Sequence, residues 1–166
     1  MFELEKTDAV RNLIAITKSD SGISGPELAK AHIQLGQLLA QNMAFPPKDT
    51  TIVALMRGGL FFAAGMYFQM GCKFQTYQPK YEKFIRPSTK KVILVDAVIN
   101  TGKTIAEIFE PDMTVACCVI NESAVEQFTH QLYAVRVSSN SFVGSDIKVQ
   151  SGTKGPDTTL RLFNLL

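Results

Sequence analysis

An aspartate and a group of small polar residues follow one strongly apolar segment in the middle of the sequence. Val92–Val95 is an uninterrupted aliphatic run and predicts a buried strand of a parallel sheet. Asp96 ends that run, so we expect its carboxylate at the carboxyl edge of the sheet, where open α/β folds bind ligands. Asn100–Thr104 then combines hydroxyl groups, a glycine and a lysine at the start of a predicted helix. Such a turn can direct backbone N–H groups at a phosphate.

A second turn that suits an anion lies earlier in the chain. Arg57-Gly58-Gly59 follows the apolar run Thr51–Met56, a second predicted buried strand, and precedes an apolar helix predicted over Leu60–Met70. Glycines let the backbone approach an anion closely, while the helix N-terminus and the arginine supply positive potential. We therefore expect a pyrophosphate-binding turn here. The alternative interpretation is an ordinary tight turn.

The tripeptide Gly102-Lys103-Thr104 ends as a nucleoside-triphosphate P-loop ends, but its spacing differs. That motif requires a glycine five residues before Gly102, and the residue there is Ala97. The strand also ends in an aspartate rather than in a glycine-rich turn. The spacing therefore argues against an ATP-dependent kinase.

The stretch Val92–Thr104 resembles the phosphoribosyl-pyrophosphate (PRPP) loop of the type I phosphoribosyltransferases. That loop has an apolar strand, one or two acidic residues, a short apolar step and then Thr-Gly. The resemblance implies that Asp96 faces the ribose hydroxyls and that Asn100–Thr104 wraps the ribose 5-phosphate. The alternative is a buried strand-to-helix turn with a capping aspartate and no ligand. The PRPP-binding residues implied are Asp96, Ala97, Val98, Ile99, Asn100, Thr101, Gly102, Lys103 and Thr104.

The C-terminal segment carries a further resemblance, to the uracil phosphoribosyltransferase branch, which also lacks a second acid at the position of Ala97. Relatives end with a glycine-rich loop, an aspartate and Arg-apolar-Phe, here Arg161-Leu162-Phe163. The resemblance places Gly155, Pro156 and Asp157 at the base. Pro156 lacks an N–H and Leu160 replaces a second acid, so a base other than a pyrimidine stays open. The alternative is a β-turn and a final strand.

The segment between the two predicted phosphate sites is bounded by Pro79 and Pro87 and is rich in basic and aromatic residues. The resemblance implies a loop that closes over the substrates and excludes water from a cation-like sugar. Its length is short for the uracil enzymes, and a solvated surface is the alternative interpretation. The candidates for positive charge near the leaving pyrophosphate are Lys80, Lys83 and Arg86.

Strand and helix patterns alternate along the chain, which predicts an α/β fold with a mainly parallel central sheet flanked by helices. Ser24 and Glu27 predict a capping box for an N-terminal helix that ends near Gln41. Asp8–Lys18 fits a helix or a strand. Ser138–Leu166 predicts a loop-rich C-terminal hood. The other predicted strands are Cys72–Gln78, Met113–Ile120 and Leu132–Val137, and the other predicted helices are Ile105–Glu110 and Ser123–Gln131, the last capped by Ser123.

Length and composition indicate one globular domain spanning residues 1–166. Of these residues 46% are apolar and 19% charged, and the net charge of +2 gives no argument for nucleic acid or membrane binding. No apolar run has transmembrane length, and the N-terminus lacks a signal-peptide pattern, so we expect a cytoplasmic protein.

The cysteines and histidines do not form a metal-ligand pattern. Cys117 and Cys118 are adjacent on a predicted strand, point to opposite faces and cannot chelate one ion together. We expect these thiols and Cys72 to be structural, with no metal site made by the protein. His32 and His130 fall in predicted helices and are expected to be surface or half-buried residues rather than catalysts.

The family resemblance implies an enzyme of nucleotide salvage that transfers the phosphoribosyl group of PRPP to a nucleobase, uracil or a related pyrimidine. Arg57 and Asp96 would be its catalytic residues, and Mg²⁺ would be bound mainly through PRPP. The implied partners are PRPP and a nucleobase, within a homodimer or higher homo-oligomer. The alternative is a catalytically weak PRPP- or nucleotide-sensing regulator on the same fold, which Ala97, the short loop and Leu160 motivate.

Overall fold

A parallel β-sheet forms the centre of the computed structural model, which describes residues 1–140 and 142–166. Within those residues the sheet has six strands in the order β1-β6-β5-β4-β2-β3, and every neighbouring pair is parallel. The predicted α/β fold with a parallel central sheet is therefore confirmed. The strands are β1 (Phe2–Glu3), β2 (Thr50–Leu55), β3 (Lys73–Tyr77), β4 (Lys91–Ile99), β5 (Thr114–Asn121) and β6 (Leu132–Ser138).

Helices cover both faces of this sheet. The α-helices are α1 (Asp8–Thr17), α2 (Gly25–Ala40), α3 (Leu60–Met70), α4 (Lys103–Ala106) and α5 (Thr158–Leu162), and short 3₁₀ segments span Pro47–Asp49 and Glu122–Gln131. Within the described residues, no helix is long and apolar enough to cross a membrane.

The two faces of the sheet bury separate apolar clusters. Cys118 packs in one cluster with α2 and α3, and Cys117 packs in the other with Ile105 and Phe128. The adjacent cysteines therefore point to opposite faces, as predicted. All three cysteines are buried free thiols, and burial raises the pKa of Cys118 to about 11.

Several local predictions need correction. Asn121 rather than Ser123 caps the segment after β5, because the Asn121 side chain accepts the Ser123 N–H. The Ser24 hydroxyl donates to Asn164 and makes no cap bond, although α2 does begin beside it. Helix α4 ends at Ala106 instead of Glu110. Asp8–Thr17, which the sequence left open, is helical.

His32 is also more buried than expected. Its side chain is 1% exposed, and its Nδ1 lies 3.0 Å from the Leu28 carbonyl oxygen. Burial lowers its pKa to about 4, so the ring is neutral near pH 7. His32 lies four residues after Leu28 and three before Leu35, on the buried apolar face of α2, which explains why no surface is left for the histidine.

The direction in which successive strands are added to the sheet reverses between β2 and β4. The chain leaves β2 through α3 to β3 on one side, and continues from β4 to β5 and β6 on the other. Open α/β sheets bind ligands at the carboxyl ends of the strands at such a switch point.

Strand β4 extends beyond its neighbour β2 at this point. The last pair with β2 is Ala54 with Val95, whereas pairing with β5 continues to Ile99 with Ile120. The expectation that the strand ends at Asp96 is therefore wrong, since β5 supports three more residues. Among the described strands, only β5 pairs with Asp96–Ile99, so the edge facing the end of β2 is open.

Candidate functional site

A cavity of about 440 Å³ lies at the carboxyl ends of β2, β4, β5 and β6. Its volume falls in the usual range for small-molecule sites. Parts of the predicted PRPP loop, pyrophosphate turn and C-terminal base segment all line it. Residues that lie far apart in the sequence are therefore brought to one site at the switch point of the sheet.

Asp96 lies in the floor of this cavity. Its Oδ1 accepts a hydrogen bond of 2.7 Å from the Ala97 N–H. Burial raises the pKa of Asp96 to about 7, and hydrogen bonds from the Ala97 and Val98 amides oppose the rise. A carboxylate so placed can accept hydroxyl hydrogens from a sugar, and contact with such donors would favour its ionised form.

The predicted PRPP-binding segment, Asp96–Thr104, presents only part of its length to the cavity. Asp96, Ala97, Val98, Ile99, Asn100 and Thr104 line it, whereas Thr101, Gly102 and Lys103 are not among its described lining residues. Gln127 supports the loop from behind, because its Nε2 donates to the Thr101 carbonyl oxygen at 2.9 Å. Gly102 has φ +73°, a conformation that glycine adopts without strain.

The turn after β2 brings an arginine to the cavity and its backbone close to Asp96. Arg57 and Gly58 line the cavity, and Cζ of Arg57 lies 5.4 Å from the ring centroid of Phe163. A Cβ on Gly58 would lie 3.4 Å from Asp96 Oδ1, so the backbone of this turn passes directly over the carboxylate. The turn can therefore bring an anion close to Asp96.

Gly59 has a different role, since it is buried beneath the turn and is not among the described lining residues. A Cβ at this position would lie 2.5 Å from the Val95 carbonyl oxygen and 2.8 Å from that of Leu55. Because Gly59 has no side chain, the turn can pack directly against the ends of β2 and β4.

The C-terminal segment covers the opposite side of the cavity, where Gly155, Pro156 and Asp157 all line it. They belong to or follow a short parallel pair, β7 (Val143–Ser145) and β8 (Lys154–Pro156). Asp157 Oδ1 caps α5 by accepting the Leu160 N–H at 2.9 Å. The alternative of a β-turn and a final strand at Gly155-Pro156-Asp157 agrees with the structure in part, because Lys154–Pro156 forms β8, whereas Asp157 caps α5.

Buried Arg161 fixes this segment to the N-terminal half of the chain. Its guanidinium donates to the carbonyl oxygens of Ile23 and Thr17 and to the Ser21 hydroxyl, at distances from 2.8 to 3.3 Å. Helix α5 and its Thr158 and Thr159 are thereby held over the cavity.

The three basic residues of the predicted closing loop occupy different environments. Lys80 lines the cavity together with Pro79. Arg86 instead forms ion pairs with Glu110 and with Asp112, the latter at 2.6 Å, and Lys83 is exposed. Neither Arg86 nor Lys83 is among the described lining residues. Of these three residues, Lys80 is therefore the one that reaches the described cavity, and the charge of Arg86 is already compensated.

Sequence reasoning missed the residues that β5, β6 and the end of α1 contribute. The most prominent is Arg136, which lies in β6 and lines the cavity. Its signal in the sequence was a single charge near the carboxyl end of an otherwise mostly apolar strand. The other lining residues that were missed are Thr17, Ser19, Val119, Asn121 and Ser138 from these elements, Asn140, Phe142 and Gly144 after β6, Leu55 and Met56 at the end of β2, and Thr158 and Thr159 of α5.

The acidic groups of the site suit a metal only in part. Among the described residues, no cluster of three histidine, cysteine, aspartate or glutamate side chains could hold an ion. Asp96 offers one carboxylate at the open edge of β4. One or two carboxylates together with substrate phosphates are a usual environment for Mg²⁺, so this donor set fits an ion that arrives bound to a phosphate ligand.

The parallel sheet with a cavity at its switch point defines the class of fold: the chain has the type I phosphoribosyltransferase fold, as its sequence resemblance predicted. Among solved structures it is similar to the AQ2163 protein from Aquifex aeolicus, with 12% identity, a TM-score of 0.63, and 86% of this chain and 91% of that chain covered.

Two further solved structures share the fold. The orotate phosphoribosyltransferase from Aeropyrum pernix has 20% identity and a TM-score of 0.51, with 66% of this chain and 71% of that chain covered. The TT1426 protein from Thermus thermophilus has 16% identity and a TM-score of 0.51, with 81% of this chain and 97% of that chain covered. No family model matches the sequence, and no curated protein is significantly similar to it.

Proposed function

We propose that the protein is a phosphoribosyltransferase that transfers the phosphoribosyl group of PRPP to a ring nitrogen of a nucleobase and releases pyrophosphate. The observation that carries this proposal is the meeting of Asp96, the Arg57 turn and the Gly155–Asp157 segment in one cavity. Each was predicted separately to contact a different part of the two substrates.

The proposed binding mode follows the order of the strands. Asn100–Thr104 holds the ribose 5-phosphate, and Asp96 accepts hydrogen bonds from the ribose hydroxyls. Arg57, Gly58 and Lys80 contact the pyrophosphate on the β2 side. Ionised Asp96 is the form that accepts two hydroxyl hydrogens, so PRPP binding would draw its pKa down from about 7.

The reaction exchanges one bond at the anomeric carbon. The bond from C1′ to the pyrophosphate oxygen breaks with its electron pair, a ring nitrogen of the base forms the new C1′–N bond, and the proton of that nitrogen passes to water. Positive charge develops on the sugar, so the chain contributes chiefly by positioning and electrostatics. Mg²⁺ bound through PRPP would supply further positive charge at the leaving oxygens.

Uracil or a related pyrimidine is the proposed acceptor. The support is the backbone of Gly155–Asp157 at the cavity, since peptide groups suit the alternating acceptors and donor of the uracil edge. A homodimer or higher homo-oligomer, a cytoplasmic location and one domain over residues 1–166 remain predictions.

A PRPP- or nucleotide-sensing regulator is a second candidate function, favoured by one observation. Ala97 occupies the second acidic position of many relatives, and its side chain is 1% exposed. A protein without that acid could retain the phosphate loop and bind PRPP without efficient turnover.

Incubation with labelled PRPP, Mg²⁺ and a panel of pyrimidine and purine bases tests both candidates. We expect labelled nucleotide and pyrophosphate in equal amounts with at least one base. Tight PRPP binding with no product from any base would reject the enzyme and support the regulator. Lack of PRPP binding would contradict both.

A further inference from the structure

The aromatic ring of Phe163 lies against the arginine of the turn after β2. Cζ of Arg57 stands over this ring, 5.4 Å from its centroid. A guanidinium within about 6 Å of an aromatic centroid is attracted by the negative face of the ring. Within the described residues no carboxylate forms an ion pair with Arg57, whose side chain is exposed. The ring therefore supplies an attraction that can orient this arginine.

Packing fixes the ring that contacts Arg57. Phe163 is half-buried against an apolar cluster that contains Leu28 of α2 and Leu162 of α5. Its ring centroid lies 5.3 Å from that of Phe61, with an angle of 41° between the two rings. Phe61 belongs to the first turn of α3, the helix that follows the Arg57 turn. Side chains of three helices thus limit the movement of the ring.

The same face of the C-terminal helical segment makes a second contact with this turn. A Cβ on Gly58 would lie 3.1 Å from Thr159 Oγ1. The Phe163 N–H donates to the Thr159 carbonyl oxygen at 3.1 Å, so the last helical turn reaches Phe163. Residues four apart lie on the same face of a helix. Thr159 therefore lies over Gly58 while Phe163 lies against Arg57.

Helix α5, which carries this face, is fixed at both ends. Asp157 Oδ1 caps its beginning by accepting the Leu160 N–H at 2.9 Å. After its end, Asn164 has φ +57°, a left-handed conformation that often terminates helices, and the Leu165 N–H donates to the Leu160 carbonyl oxygen at 2.8 Å. Arg161 ties the middle of the helix to the connection between α1 and α2. The backbone that carries Phe163 is therefore held in place.

Contact with an aromatic ring leaves the hydrogen-bond donors of Arg57 available. A guanidinium has five N–H donors in a plane, and its attraction to a ring uses its charge rather than these donors. A carboxylate partner would instead occupy two donors and compete with an anionic ligand. The ring can therefore orient Arg57 without competing with pyrophosphate.

We propose that Phe163 is a positioning residue for the leaving pyrophosphate, because its ring holds the Arg57 guanidinium in place at the cavity. This inference rests on the proposed phosphoribosyl transfer and adds a residue outside the described lining. An exposed arginine loses side-chain freedom when it binds an anion, and restraint before binding reduces that loss. Phe163 acts through Arg57, and α5 thereby links the Gly155–Asp157 segment to the turn after β2.

Three ligands measured by calorimetric titration of the full chain test this role: Mg²⁺–PRPP, Mg²⁺–pyrophosphate and ribose 5-phosphate. Phe163→Leu should raise the dissociation constants of PRPP and pyrophosphate about fivefold, because it removes the attraction of the ring. Ribose 5-phosphate has no pyrophosphate group, so its dissociation constant should not change. Phe163→Trp should retain the affinity for pyrophosphate, because indole attracts a cation at least as strongly as a phenyl ring does.

A double-mutant cycle with Arg57→Gln separates this role from a structural one. In the Arg57→Gln background, Phe163→Leu should cause no further loss of pyrophosphate affinity, since the ring acts through the cation. Phe68→Leu, at an exposed aromatic residue of α3, is the matched control and should leave all three dissociation constants unchanged. Equal losses for the three ligands in Phe163→Leu, equal losses in both backgrounds, or no loss at all would overturn the proposal.

A measurement on the wild-type protein decides the question even where Phe163→Leu does not fold. The δ-methylene protons of Arg57 should show a ring-current shift in the NMR spectrum, identified by its disappearance in Arg57→Gln. The shift should persist when pyrophosphate binds, because the ring is expected to hold the arginine in the complex. Absence of the shift in the pyrophosphate complex would overturn the proposal.

The two proposals fail in distinguishable ways. Turnover of PRPP together with pyrophosphate binding that does not respond to Phe163→Leu would refute the role of Phe163 and leave phosphoribosyl transfer standing. Pyrophosphate that binds in a manner dependent on Phe163, while PRPP neither binds nor reacts, would refute phosphoribosyl transfer instead.

Discussion

The two sides of the cavity obtain their charged groups in different ways. On the side of β2 and β4, Arg57 and Asp96 are accompanied by contiguous loops whose backbone approaches the cavity. On the side of β5 and β6, Arg136 lies within a strand, and neutral side chains come from α1, β5, β6 and the segment after β6. One side therefore combines Arg57 and Asp96 with the turns after β2 and β4, and the other combines Arg136 with neutral side chains from several elements.

This difference suggests a division of labour between the sides. Backbone loops suit phosphate oxygens, which present the same chemistry in every reaction of PRPP. Side chains on strands can change individually without disturbing a loop, so they suit the part of the reaction in which acceptors differ. Variants on the two sides should consequently alter different kinetic quantities.

Asp96→Asn should give the largest loss of activity, and the loss should concern the use of PRPP. Loss of the carboxylate removes the proposed contact to the ribose hydroxyls, so we expect kcat/KM for PRPP to fall about 100-fold or more at neutral pH. Steady-state kinetics measures this, and circular dichroism checks the fold. Asp146→Asn, at an exposed carboxylate, is the control. Unchanged turnover in Asp96→Asn would reject the assignment of the ribose contact.

Alanine variants of the adjacent glycines Gly58 and Gly59 should separate an effect on stability from an effect on PRPP binding. Gly59→Ala places a Cβ against two carbonyl oxygens and should lower the free energy of unfolding by about 2–3 kcal/mol. Gly58→Ala meets only Thr159 Oγ1 at 3.1 Å and Asp96 Oδ1 at 3.4 Å, so it should cost less than about 1 kcal/mol but raise the PRPP dissociation constant roughly tenfold. Urea unfolding and calorimetry provide the measurements. Equal destabilisation by both would contradict the described packing.

The pKa of Asp96 should make stability depend on pH. Because burial raises this pKa from 3.8 to about 7, the folded protein retains the proton to higher pH than the unfolded chain. The resulting contribution to stability is complete below the unfolded pKa and is lost as the pH rises through about 7. The free energy of unfolding of wild type should therefore fall, relative to that of Asp96→Asn, by about 2 kcal/mol between pH 5 and pH 8. This figure allows for solvent at the cavity. A constant difference would contradict the raised pKa.

Variants of the basic residues before β4 should have the smallest effects on PRPP kinetics, and Lys80 and Arg86 should differ clearly from each other. Lys80→Gln removes a cation from the cavity lining, so we expect KM for PRPP to rise about fivefold. Arg86→Gln breaks partly exposed ion pairs with Glu110 and Asp112, and should cost about 1 kcal/mol or less while leaving PRPP kinetics within about twofold. A larger kinetic loss in Arg86→Gln would show that the loop rearranges to bring this residue to the cavity.

Local sequence was sufficient for the side of the cavity that is built from contiguous residues. Apolar runs before Arg57 and Asp96 mark buried strands, and the residues that follow must lie at the carboxyl edge of a parallel sheet. The helix Leu60–Met70 was predicted with its observed bounds, because an apolar run between glycines leaves little ambiguity.

The other side could not be predicted in this way. The relation of Arg136 to Asp96 depends on the pairing of β4 with β5 and of β5 with β6, and strand order does not follow from one strand's composition. Burial of His32 and the contact of Ser24 with Asn164 likewise depend on tertiary packing, because α2 packs in apolar clusters formed with other elements and Asn164 lies 140 residues from Ser24 in the sequence.

Beyond Val95, β4 pairs with β5 but not with β2, so hydrogen exchange of its backbone amides can report ligand binding at the cavity. Amide hydrogens on the open edge face the cavity instead of a partner strand, and the Ala97 N–H is bonded only to the neighbouring Asp96 side chain within the described chain. These amides should exchange with deuterated solvent faster than those of Val92–Val95, which lie between two strands. PRPP should slow their exchange selectively, so occupancy of the sugar site can be followed without any label or turnover.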